Sequence, residues 1–155
     1  MSAGFKIVRD DRNKGSTALP ISSIAVTVGD LLEWVMAEAS TWTLVTTSSE
    51  AWTKKAIATQ TVTSSATEVE AIILDGLELV EAGSTNNSTV ADNGNGMIVG
   101  TATTGAMVIN NTGTTVAETT AAQIFMQSGI AGAAADKRIL GYVHVGNSVL
   151  PYAAS

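Results

Sequence analysis

The chain has 155 residues, enough for one domain with a sizeable core; 45% are apolar and only 14% are charged, against a typical ~25%. A net charge of -6 disfavours a protein that coats nucleic acid, because neutralising phosphates takes lysine and arginine. The lack of cysteine excludes disulfides, cysteine-ligated zinc and thiol nucleophiles, and a single histidine excludes multi-histidine metal sites.

Met1 to Arg12 alternates apolar and charged residues and lacks the apolar run of a secretory signal. No window approaches the ~18 uninterrupted apolar residues of a membrane helix, so no membrane partner is expected. Lys6, Arg9, Arg12 and Lys14 against Asp10 and Asp11 give the first 14 residues a net +2, which leaves -8 for the remainder of a chain totalling -6. Gly15 to Pro20 has the small-residue and proline character of an extended lead-in. The expectation is therefore an extended basic arm over residues 1–20 and a single β-rich domain over 21–155. Solvated terminal charge is the alternative for the arm.

Threonine and valine, both β-branched, are heavily used after residue 20 and suit half-buried strands. Asp30 to Glu38 offers two readings. Asp30 with Glu33 three residues later resembles a capping box before one or two helical turns, and a strand through the same residues competes with it. Asp75-Gly76 separates Glu68 to Leu74 from Leu77 to Val80 and predicts a hairpin. Ser84 to Gly96 reads as a polar loop, and the asparagines of the sequons at Asn86, Asn87 and Asn110 are read as turn residues. Further hairpins are expected about Asn110 to Gly113 and about Gly146-Asn147. Thr119 to Gln127 and Gly129 to Asp136 are alanine-rich, which suits a short helix or a loop. The predicted fold is all-β: an antiparallel sandwich or barrel with at most two short helices, the jelly roll being the preferred form.

Few groups suggest chemistry. His144 alternates with Leu140 and Tyr142 on one face of a strand whose other face carries Ile139, Val143 and Val145. No nucleophile motif accompanies it. Gly94-Asn95-Gly96 reads as a turn leading into a strand, without the helix a dinucleotide fingerprint needs. Asp92 to Asn95 lacks the closing glutamate of a calcium loop. Glu68 with Glu70, and Glu78 with Glu81, fit solvated acidic faces better than a glycosidase pair. Trp34, Trp42 and Trp52 lie in the first third and suit anchors of a core or a subunit interface. Neither an enzyme nor a cofactor is expected.

Together the small acidic cysteine-free chain, the basic start, Val26-Thr27-Val28-Gly29-Asp30-Leu31-Leu32-Glu33, the threonine- and alanine-rich strands and Arg138-Ile139-Leu140-Gly141-Tyr142-Val143 resemble the decoration, or cement, proteins of tailed-bacteriophage capsids. The resemblance implies a homotrimeric all-β knob, made in the host cytoplasm, that sits on the outer capsid surface and holds major capsid proteins together. The capsid-contact candidates are then Phe5, Lys6, Ile7, Val8, Arg9, Arg12 and Lys14, and the subunit-interface candidates are Trp34, Trp42 and Trp52. A carbohydrate- or receptor-binding module using tryptophan and Asn/Gly loops is the alternative.

Overall fold

Short alternating segments punctuated by glycine and asparagine give strands rather than helices, and the computed structural model, which describes residues 3–35, 41–111 and 123–146, is all-β. Eleven strands are present among these residues: β1 (Phe5–Arg9), β2 (Thr17–Pro20), β3 (Leu31–Val35), β4 (Thr41–Leu44), β5 (Lys55–Ala58), β6 (Glu68–Ile73), β7 (Leu79–Gly83), β8 (Gly96–Thr101), β9 (Val108–Asn110), β10 (Phe125–Ile130) and β11 (Arg138–Val143). Two single 3-10 turns, Val90–Asp92 and Ala134–Asp136, are the helical elements of the described residues.

The strands form two antiparallel sheets. One is six-stranded in the order β1-β7-β11-β10-β8-β9, and the other five-stranded in the order β2-β6-β5-β3-β4. Both curl. Ile21, just past β2, bridges Trp42 of β4, so the two margins of the five-stranded sheet meet, and Ser84 bridges Ile109 between the end of β7 and β9.

Curling creates two cores. Phe5, Leu31, Ile57, Leu74, Val80, Met97, Ile109, Phe125 and Ile139 fill the space between the sheets. Leu19, Ile21, Val26, Leu32, Trp42, Ala56, Ala58, Val69 and Ala71 fill the inside of the five-stranded sheet. The middle strands of that sheet are consequently buried on both faces: Leu31 and Ile57 point to the first core, and their neighbours Leu32, Ala56 and Ala58 to the second. This explains why β3 and β5 lack the apolar-polar alternation that β11 keeps.

Four expectations are corrected and one open reading is decided. The stretch before residue 21 is no arm. Phe5 is 4% exposed in the first core, β1 pairs with β7 from Phe5↔Ala82 to Arg9↔Leu79, and β2 pairs with β6. Its apolar side chains are needed to close both cores, which is why it lies down on the sheets. Asp75-Gly76 is no hairpin either, since β6 pairs with β5 and β2 while β7 pairs with β1 and β11. The dipeptide is the corner at which the chain passes from one sheet to the other. The strand reading of Leu31–Val35 prevails over the helical one, and Phe125–Ile130 is a strand where alanine content suggested helix or loop. Finally, the chain changes sheet only after β1 and after β6. A jelly roll, threaded through two Greek keys, is not the winding found. Residues 36–38, the second halves of the hairpins expected at 110–113 and 146–147, and residues 119–122 lie outside the described residues.

Candidate functional site

Two regions gather the residues singled out from sequence. At the corner between sheets, Glu78 is 2% exposed and its carboxylate accepts hydrogen bonds from the backbone amides of Asp75 (3.0 Å to Oε2) and Gly76 (3.1 Å to Oε1). Lys14 reaches the same carboxylate and lies 3.3 Å from Asp75 Oδ2, which also lies 2.8 Å from Arg12 Nη1. Asp75 Oδ2 is sealed from solvent and makes no directional hydrogen bond, so the two cations compensate it. Burial works to raise the Asp75 carboxyl, but the Leu77 amide, Lys14 and Arg12 outweigh it and hold it below its ordinary value. Burial likewise works to lower Lys14, and Glu78 and Asp75 overcome that, raising it. Lys14 is thus turned inward onto the acidic body, and Arg12, with its side chain still mostly in water, reaches back to pair with Asp75.

The other two face solvent. Lys6, Val8 and Arg9 are exposed on β1, a margin of the six-stranded sheet, while Ile7 packs against the core. Arg9 has a loose partner in Asp11 at 3.8 Å, with both side chains mostly in water. A register shift between Ile7 and Arg9 bulges the strand at exposed Val8.

The tryptophans do not act as one set. Trp34 and Trp42 are cross-strand partners on β3 and β4. Trp42 is buried in the second core, and Trp34 packs against that core, with the Lys54 ammonium 5.5 Å from its ring centroid. Trp52, on the loop before β5, joins His144 in lining an open depression of about 440 Å³ together with Ala51, Asp75, Gly76, Val143, Val145 and Gly146. No signal in the sequence places residues 51, 75 and 144 together; the sheet-crossing corner does so.

Sequence reasoning also misses the buried polar fasteners. Lys55 is completely buried, and its ammonium donates to the Glu50 and Thr53 carbonyls at 2.7 and 3.0 Å. Its β3 partner Glu33 accepts from Ser49 and from Thr53 Oγ1. Desolvation lowers the Lys55 pKa to about 8, against the raising effect of Glu33 and Glu50. Asp30, buried at the start of β3, accepts from the amides of Thr27 and Gly105, both at 2.9 Å, and from the Thr104 hydroxyl. Gln127 accepts from Ser88 and donates to the Thr89 carbonyl and to Asn93. Each of these side chains ties a loop to a strand.

The remaining candidates are apart or engaged. Asp92 accepts from the Thr89 amide, and no cluster of three or more metal-ligating side chains occurs among the described residues. Glu68 and Glu70 lie in the five-stranded sheet, whereas Glu81 lies in the other and meets Arg138 at 2.7 Å. Comparison with protein-family models, curated proteins and solved structures finds no match to this chain.

Proposed function

We propose that this chain is a structural virion protein that binds the outside of a tailed-phage capsid and stabilises contacts between major capsid proteins, without catalytic activity, as its sequence pattern suggests. The observation that carries the reading is β1. On a chain of net charge -6, this sheet margin presents the cations Lys6 and Arg9 beside exposed Val8. Charges at the rim of an interface steer association, and an acidic capsid surface is their complement. The interior supports a structural role as well, because Asp30, Glu33, Lys55 and Glu78 hold loops in place. Docking as a homotrimer belongs to the same proposal.

The test is add-back to capsids assembled without this protein. Stoichiometric binding, threefold clustering of the added density and a raised capsid disruption temperature are expected. Capsids that neither bind it nor gain stability would refute the proposal.

A further inference from the structure

The depression at Trp52 is built from three separate stretches of chain held at close quarters. Lys55 pins the loop carrying Ala51 and Trp52 through the Glu50 and Thr53 carbonyls, and the Gly146 amide donates to the Thr53 carbonyl at 3.1 Å. A Cβ at Gly146 would come within 1.6 Å of the Trp52 carbonyl oxygen, so only glycine permits this approach of the two walls. The third wall is the Asp75-Gly76 corner, fixed by the buried Glu78 carboxylate. At about 440 Å³, the space lies within the roughly 300–1,000 Å³ of small-ligand clefts.

The side chains lining it combine apolar surface with hydrogen-bond acceptors. Ala51, Trp52, Val143 and Val145 supply apolar surface. Asp75 Oδ1 accepts the Leu77 amide at 3.0 Å and retains a second lone pair, while Oδ2 is withdrawn toward Arg12 and Lys14. His144 Nδ1 lies 2.8 Å from the Gln123 carbonyl oxygen. A carbonyl only accepts, so in the neutral ring the proton sits on Nδ1 and Nε2 is an acceptor. Among the described residues, no lysine or arginine lines the space.

Acceptors beside an aromatic residue call for a ligand with hydroxyl donors at its edge and an apolar face. An anion would find Arg12 and Lys14 already engaged by Asp75 and Glu78, and a hydrocarbon would desolvate the Asp75 carboxylate without replacing its hydrogen bonds. A pyranose satisfies both halves, its hydroxyls donating to Asp75 and His144 and its C–H face lying on Trp52. We infer that the depression where Trp52, Asp75 and His144 converge binds a neutral saccharide. This inference stands apart from capsid docking through β1 and survives if that reading fails.

The full chain, isotopically labelled for NMR, is titrated with methyl α-glucopyranoside, methyl β-galactopyranoside and N-acetylglucosamine, with glycerol and glucuronate as controls. At least one sugar is expected to shift the Trp52 indole resonance saturably with a Kd of about 1 mM, leaving Trp42 unmoved. Trp52→Ala and His144→Ala should each weaken binding about tenfold, and Trp52→Phe, which keeps a ring, less. Should Trp52→Ala not fold, the other two variants decide. No saturable shift with any of the three sugars, an equal response to glycerol, or unchanged binding in the folded variants overturns the inference. Tighter binding of glucuronate than of the neutral sugars does too, since recognition would then belong to Arg12 and Lys14.

Discussion

Lys55 and Glu33 stand opposite each other on β5 and β3 and share the hydroxyl of Thr53, which receives a hydrogen bond from the ammonium and donates one to the carboxylate. The folded chain releases the Lys55 proton near pH 8, whereas the unfolded chain keeps it to about 10.5. Between those values the unfolded state binds more protons, so stability rises with pH across the window. Below it, the buried charge is a standing cost. Urea midpoints should therefore show a rising contribution, at most about 3 kcal/mol, that Lys55→Met lacks.

The pair also predicts non-additivity. Lys55→Met or Glu33→Leu alone strands a buried polar partner and should each cost about 3–5 kcal/mol. The double variant removes both groups and should cost clearly less than the sum. Additive losses in urea unfolding would show that Thr53 does not couple the two residues.

Phe5 sits in the core between the sheets and β1 pairs along β7. Phe5→Ala should cost about 3–5 kcal/mol. Deleting residues 2–14 should lower the urea midpoint by more, since it also removes Lys14 from Glu78. A truncated chain as stable as the full one would mean that β1 contributes nothing to the fold.

What could be read from the sequence is what depends on local pattern. The all-β class, the inward face of β11 and the turn ahead of β8 follow from β-branched content, alternation and glycine. What could not be read is where each strand finds its partner. A turn dipeptide such as Asp75-Gly76 reverses or redirects the chain in either case, and whether the next strand pairs with the last or joins another sheet is settled by distant contacts. Here Leu74 and Val80 both enter the same inter-sheet core. Asp30 and Glu33 had the spacing of a helix cap, yet their carboxylates are engaged by Thr27, Thr104 and Gly105 and by Ser49 and Thr53. Adjacent Leu31 and Leu32 suit a helix in a protein with one core and a strand in a protein with two. Charge segregation toward residues 1–14 was real, but complementary acids at Asp75 and Glu78 lie in the chain itself.

The corner where β6 leads into β7 depends on Glu78 and Gly76. Glu78→Ala removes the acceptor for two amides and the partner of Lys14, and should cost at least about 2 kcal/mol. Gly76 has a φ of +88°, so Gly76→Ala should cost about 1–2 kcal/mol through backbone strain. Thermal unfolding of both variants checks this, and an unshifted midpoint in Glu78→Ala would remove the carboxylate from the set of fold determinants.

The proposed capsid contact resides on β1 and can be separated from the fold. Lys6, Val8 and Arg9 are exposed, and Arg9 has only its distant partner Asp11, so replacing these side chains should leave the sheet intact. Lys6→Glu with Arg9→Glu reverses the charge offered to an acidic shell. Such rim charges act mainly on encounter and are screened by salt over a Debye length of about 8–10 Å. The double variant should therefore bind capsids with a slower association rate at low salt and approach the wild type as salt rises, with an unchanged urea midpoint. Val8→Ser removes apolar contact and should instead speed dissociation at every salt concentration. Unaltered association in the charge-reversed protein, measured on capsids that bind the wild type, would move the docking surface away from β1.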